Sequence, residues 1–319
     1  MPDKFPNGVY PTMLTPFTDD NKVDYESLGR LTEWYIRCSV SGLFAVCQSS
    51  EMFFLSDEER TGITRFVKEK ANGRVPVIAS GHISDSIESQ AKELKDIASA
   101  GADCLILLTN RLAKQDESDD TWLENLKKLL ALLPEEVPLG FYECPFPYKR
   151  LISPKLLKWC ADTGRFHFIK DTSCDIDNMN AKLEAIKGTQ LKLFNANSAT
   201  LLQSLKAGAS GFSGVMAGFQ ADLYSWVCGN FGKEPAKAEQ VSDFLSVTAL
   251  LERQIYPINA KYYQKLIGNF TGLRARTRPT SDLNSTAKLE VEQHTRLSEK
   301  FRSEMGLLPL VQYIVSSTL

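Results

Sequence analysis

A regular alternation of strand and helix constrains this chain more than any other feature. Apolar, β-prone runs end near Leu14, Gln48, Ser80, Leu108, Tyr142, Lys170, Asn195 and Val215, and most are followed by a helical pattern. Their spacing of roughly 25 to 35 residues suits parallel strands, which need a crossover of a dozen residues or more before the next strand can pair. Eight such units within about 230 residues predict a closed (β/α)8 TIM barrel rather than an open doubly wound sheet.

The helix starts support this reading. Ser56-Asp57-Glu58-Glu59 and Thr121-Trp122-Leu123-Glu124 fit capping boxes, Asp24 and Asp85 are candidate caps, and Ser153-Pro154 pairs a capping residue with proline at the first helical position. Leu28, Leu31 and Tyr35 fall on one face of the first helix, and Ile87, Ala91, Leu94 and Ile97 on one face of the third. After about residue 232 the period breaks. The stretches 232–257, 259–270 and 281–306 read as three helices, so residues 1–232 are expected to form the barrel and 233–319 a C-terminal helical extension packed on it. Between the last two helices, GLRARTRPTSD reads as an arginine-rich solvated loop.

Composition excludes several classes of function. With 37 Lys plus Arg against 39 Asp plus Glu, the formal net charge of -2 gives no global field for nucleic acid or anionic lipid, so neither is an expected partner. No run of 18 consecutive apolar residues suggests a membrane span, and the first residues lack a secretion-signal pattern. Cysteines 38, 47, 104, 144, 160, 174 and 228 are scattered, without a Cys-x-x-Cys pair. They read as reduced thiols of a cytoplasmic protein, mostly small core residues, rather than as a disulfide scaffold or zinc site.

In a barrel, residues at strand C-termini converge although they are remote in sequence. Lys170 ends the hydrophobic run Phe166-His167-Phe168-Ile169, where partial desolvation favours the neutral amine over ammonium, and only the neutral amine attacks a ketone. Tyr142 ends the preceding candidate strand, so its phenol is expected near Lys170, where it could exchange protons with an imine or carbinolamine. At the end of the second strand, Gln48, Ser49 and Ser50 offer an amide, hydroxyls and backbone donors to a carboxylate, and Glu51 is placed to organise the turn. GASGFSGVMAG puts Ser213 and Gly214 at the end of the eighth strand, giving close backbone access to the body of a small substrate. Arg111, Lys149 and Arg150 lie in loops of the same face, candidates to pair with a second acidic group.

Taken in order, VYPTMLTPF, YECP and FIKDTS resemble the opening strand, the Tyr-x-x-Pro signature and the Schiff-base strand of the dihydrodipicolinate synthase and N-acetylneuraminate lyase family of class I aldolases. The resemblance runs from Gly8 into the C-terminal helices. It implies that Lys170 forms an imine with a 2-oxo acid, that Tyr142 transfers protons near the substrate carboxylate, and that Ser49 with the Ser50 backbone cradles that carboxylate. It also implies a homodimer or homotetramer, and chemistry that calls for no cofactor or metal.

Three departures from the family pattern bear on the substrate. CQSSE has Gln48 where the family usually has a hydroxyl that relays protons. LLTNRLAKQDE offers Asn110, Arg111 and Leu112 in place of paired tyrosines, one of which reaches into a neighbouring subunit. FNANSAT offers Asn197, Ser198 and Ala199 in place of the Asp-Glu pair of the sialic acid lyases. The expected activity is therefore aldol cleavage or condensation, or dehydration, of a small 2-oxo acid or hydroxylated acid, by neither a true dihydrodipicolinate synthase nor a sialic acid lyase. The alternative reading, from the altered CQSSE turn, is a catalytically idle barrel that binds a small carboxylic acid as sensor or scaffold.

Overall fold

The computed structural model describes residues 4–307. Eight parallel strands run β1 (Gly8–Val9), β2 (Leu43–Phe44), β3 (Val77–Ala79), β4 (Cys104–Leu108), β5 (Leu139–Tyr142), β6 (Phe166–Asp171), β7 (Lys192–Asn195) and β8 (Gly211–Phe212). Their order in the sheet is β1-β8-β7-β6-β5-β4-β3-β2. The ring closes between the two ends of that order through a parallel bridge from Thr12 to Phe44, with the Met13 amide donating to the Phe44 carbonyl and the Phe44 amide to the Pro11 carbonyl. The (β/α)8 barrel expected from the alternation is the observed architecture.

The helices between strands are α1 (Tyr25–Arg37), α2 (Asp57–Ala71), α3 (Ile87–Ser99), α4 (Asp119–Leu132), α5 (Pro154–Asp162), α6 (Ile176–Ala185), α7 (Leu201–Lys206) and, after β8, α8 (Ala217–Asn230). Asp24 caps α1, Ser56 and Glu59 form the expected capping box, and Ser153 caps α5 ahead of Pro154. Two starts differ from expectation. Ser86 rather than Asp85 caps α3, and Ser118 rather than Thr121 caps α4, where the Ser118 hydroxyl accepts from the Thr121 amide. A serine one residue after the expected cap of α3, and one three residues before the expected cap of α4, takes the role, because its short side chain reaches the free amide three residues on.

Several expected strand ends overrun the observed ladders. Residues 10–14 are buried but leave regular pairing after Val9, in part because Pro11 has no amide to donate. Gln48–Ser50 and Met52–Phe54 are single 3-10 turns, with Glu51 between them at φ 60°. At the seam between β1 and β8 the backbones approach so closely that a Cβ on Gly211 would lie 1.8 Å from the Gly8 carbonyl oxygen. Only glycine fits there.

The extension holds α9 (Pro235–Thr248), α10 (Ile258–Leu266) and α11 (Ser285–Glu304). Val241, Leu245, Tyr263 and Val291 from these helices belong to the same apolar core as the barrel strands. The expected single helix over 232–257 breaks after Thr248 into a 3-10 segment, Ala249–Arg253, and an irregular stretch before Pro257. A residue preceding proline is biased away from helical backbone, which suits Tyr256 at the end of the irregular stretch. That break turns residues 252–257 towards the mouth of the barrel.

Candidate active site

The side-chain period of a strand places the chemistry. On β6, Phe168 and Lys170 share the inward face; Phe168 stacks on Phe194 with ring centroids 4.3 Å apart, flooring the barrel beneath the lysine. Lys170 is the register partner of Tyr142 on β5, and its Nζ lies 4.3 Å from the centre of the Tyr142 ring. Lys170 is only 3% exposed, and this burial lowers its amine pKa below the ordinary lysine value. Burial also raises the Tyr142 phenol, helped by the Cys144 and Cys47 thiols. The Tyr142 hydroxyl and the Cys144 thiol, itself pushed up to about 11 by burial, both donate to Gln48 Oε1 at 3.4 Å.

The residues that follow these two on each strand point outward and meet one cation. Lys182 of α6 places its Nζ 2.6 Å from Glu143 and 2.5 Å from Asp171, and none of the three side chains has exposed surface. Glu143 also accepts from the Ile152 and Thr172 amides, while the Thr172 hydroxyl donates to the Glu143 carbonyl. Burial raises the Glu143 carboxyl. The triad thus ties the ends of β5 and β6 together directly behind Tyr142 and Lys170.

In front of the two residues opens a cavity of about 500 Å³. Gln48, Ser49, Tyr142 and Lys170 line it as the sequence suggested, together with Glu51, Pro145, Thr172, Ala196 and Val215 of the barrel loops. The Ser49 hydroxyl donates to Thr12 Oγ1 at 3.1 Å. Ser50 is turned away: its hydroxyl bonds the Met13 and Ala45 carbonyls and its amide donates to the Cys47 carbonyl. The expected Ser50 backbone donor is thereby committed within the turn.

The other candidates named from sequence do not line the cavity. Ser213 donates its hydroxyl to the Tyr10 carbonyl, and a Cβ on Gly214 would collide with the Phe212 ring and the Ala196 carbonyl. Arg111 pairs with Asp85 and lies over Phe53, Lys149 donates to the Thr172 carbonyl, and Arg150 donates to the Lys114 and Glu117 carbonyls and meets Asp119. Asn110, where paired tyrosines were missing, donates to the carbonyls of Cys144, Phe146 and Tyr148 and so shapes the loop after Tyr142.

Sequence reasoning missed the opposite wall, which the extension supplies: Glu252, Arg253, Tyr256 and Pro257 from the broken helix, and Thr277 and Arg278 from the arginine-rich loop. The loop is not simply solvated, as had been expected. Glu51, 1% exposed, accepts from Lys261 Nζ at 2.5 Å and from the Arg276 and Thr277 amides, while the Arg276 guanidinium makes two bonds to Glu59. A partial signal lay in the sequence, because Glu51 was read as an organiser of its own turn; its partners lie more than 200 positions away. Burial raises the Glu252 carboxyl, against the pull of Arg253 and Lys170.

A closed βα barrel with a desolvated lysine and a phenol at adjacent strand ends, facing one cavity at the C-terminal face, defines the scaffold of an aldolase-type lyase. Residues 5–297 match the model of the dihydrodipicolinate synthetase family, and the chain belongs to that family. It is 28% identical over 271 residues to a 4-hydroxy-tetrahydrodipicolinate synthase of Acetivibrio thermocellus, covering 83% of this chain and 88% of that protein. The fold is shared with the chloride-inhibited dihydrodipicolinate synthase of Acinetobacter baumannii in complex with pyruvate, at a TM-score of 0.81 and 21% identity over 95% of this chain and 99% of the other. It is shared too with YagE, a prophage protein of E. coli K12 solved with pyruvate, at a TM-score of 0.80 and 21% identity over 94% and 99%. No helix among the described residues is long and apolar enough to cross a membrane.

Proposed function

We propose that this protein is a Schiff-base-dependent lyase that cleaves, condenses or dehydrates a 2-oxo acid, and that its substrate is neither that of a true dihydrodipicolinate synthase nor sialic acid. The observation that carries this reading is the position of Lys170: buried at a strand end, its amine pKa lowered, facing the cavity beside Tyr142. Neutral Nζ attacks the 2-oxo carbon, a C–N bond forms, and the carbonyl oxygen takes up a proton that Tyr142 is placed to deliver. Loss of water from the carbinolamine leaves a protonated imine. This is an electron sink, so either the C3–C4 bond breaks as a C4 hydroxyl gives up its proton, or C3 loses a proton and a hydroxyl departs. In the cleavage route C3 of the resulting enamine then takes up a proton to restore the imine, and in both routes water releases the product and restores the amine.

The departures at Gln48 and Asn110 support the narrower part of the reading. Gln48 accepts from Tyr142 but has no hydroxyl to pass a proton on. Asn110 is consumed in loop bonds and presents no phenol to a neighbour. The protein is accordingly proposed to be a homodimer or homotetramer whose separated subunit still forms the imine. Light scattering with imine trapping at falling concentration checks this; parallel loss of oligomer and adduct would count against it.

The activity itself is tested by screening 2-oxo acids with aldehydes, and hydroxylated acids for cleavage and water loss, with wild type and Lys170→Ala side by side. Turnover of at least one acid that disappears in Lys170→Ala is expected. Turnover that survives the substitution would refute the lysine mechanism.

A further inference from the structure

The wall supplied by the extension contains a group the imine chemistry leaves without a task. Tyr256 lines the cavity with Lys170 and Ser49, and its Oη is among the buried side-chain oxygens that make no hydrogen bond of good geometry. The Ser49 hydroxyl beside it donates to Thr12, so the two hydroxyls line the same side of the cavity together, with Ser49 the nearest protein partner of the phenol. The Glu51 carboxylate, another acceptor on the lining, is filled by Lys261, Arg276 and Thr277. A buried hydroxyl whose one nearby protein partner, Ser49, is poorly aligned is free to turn its proton to an acceptor that the ligand brings.

The charges around the cavity say what that acceptor is. Arg253 is exposed and Arg278 is a third exposed, both at the rim, while Lys170 must be neutral to attack. A carboxylate bound deep beside Ser49 therefore has neutral donors rather than a guanidinium for company. Burial, against the opposing pull of the Ser49 hydroxyl and helped by the nearby Cys47, Glu252 and Glu51, pushes the Tyr256 phenol up, so it keeps its proton and acts as a donor.

We propose that Tyr256, supplied by the same chain from the broken helix of the extension, donates its hydroxyl to the 2-oxo acid carboxylate and completes with Ser49 the cradle that Ser50 does not furnish. This rests on the imine assignment of Lys170, because the lysine fixes where the 2-oxo carbon sits. Tyr256 thereby couples the extension to substrate selection: displacement of residues 252–257 removes a carboxylate anchor while leaving the nucleophile in place.

The test compares pyruvate with methyl pyruvate, whose ester carries no charge, in imine trapping by cyanoborohydride followed by intact-mass measurement. Tyr256→Phe keeps the ring and removes only the hydroxyl. Trapping with pyruvate should slow about tenfold or more, as for loss of one charge-assisted hydrogen bond, while trapping with methyl pyruvate should change less than about twofold on the same scale. The ester also reports the amount of folded, reactive protein, so a loss of fold would slow both probes alike. Tyr35→Phe is the control, since that phenol is also buried without a partner but does not line the cavity; it should leave both rates unchanged. With the folded fraction fixed independently by circular dichroism, equal slowing of the two probes in Tyr256→Phe, or no slowing of either, would overturn the assignment of Tyr256 alone. Absence of any adduct in the wild type would remove the imine reading, and this inference with it.

Discussion

The two walls of the cavity are built on different principles. The wall at β5 and β6 is local in design: Tyr142 and Lys170 are register partners on adjacent strands, and the Glu143–Lys182–Asp171 triad fixes both from behind. The facing wall is assembled from segments remote in sequence and held by long-range polar contacts, with Glu51 gripping Lys261, Arg276 and Thr277, and Arg276 gripping Glu59. On the proposed mechanism the first wall holds the reacting groups in fixed register, as pre-organised catalysis requires. The second makes the substrate space depend on how the extension docks. If Lys170 is the nucleophile as proposed, this arrangement lets the barrel face keep it while the substrate space changes with the extension.

That contrast is most open to attack at Lys182. Lys182→Met leaves two buried carboxylates facing each other with no cation between them, an arrangement expected to cost about 3–5 kcal/mol. Denaturant unfolding should show that loss, and imine formation in the folded fraction should slow as the two strand ends lose their common tie. Full stability in the variant would mean that the triad is not what fixes this wall.

Within the same wall, Tyr142→Phe should lower kcat by about 10²-fold or more, the usual span of general acid-base assistance, with the Tm unchanged. An unchanged kcat on a substrate whose chemistry limits turnover would exclude the proton-transfer role. The smallest effect is expected at the junction of the two walls. Gln48→Thr restores a hydroxyl near Tyr142 but removes the amide oxygen to which Tyr142 and Cys144 both donate. It should therefore shift substrate preference more than rate, with a gain in kcat below about tenfold. A large acceleration would show that the turn retains relay geometry and that Gln48 is not a specificity residue.

The two walls also differ in how far they could be read from sequence, for the same physical reason. Lys170 and Tyr142 were legible because strand periodicity and the C-terminal face of a barrel dictate where a strand-end side chain goes. Glu252 and Tyr256 were not, because a long amphipathic stretch hid the break ahead of Pro257, and no local rule says which end of a barrel an appended helix will cover. Arg111, Lys149 and Arg150 show the converse. Their place in loops of the correct face was legible, but their engagement with Asp85, Asp119 and backbone carbonyls depends on loop paths that charge and spacing do not specify. The engagement of the Ser50 amide was hidden for a similar reason, since the tight turn at Cys47–Glu51 takes it up.

The central claim is that Lys170 is the imine-forming group, and the most direct measurement is peptide-resolved mass spectrometry of the protein reduced in the presence of pyruvate at a series of pH values. A single pyruvyl-derived group on Lys170, absent in Lys170→Ala, is the predicted result. Because burial lowers the amine pKa, the neutral form persists to lower pH than for a solvated lysine. The adduct rate should accordingly rise with pH through a midpoint below the ordinary value of 10.5, and fall as acidification returns the amine to ammonium. An adduct on another lysine, none with any of several 2-oxo acids, or a midpoint at the ordinary lysine value would contradict the account.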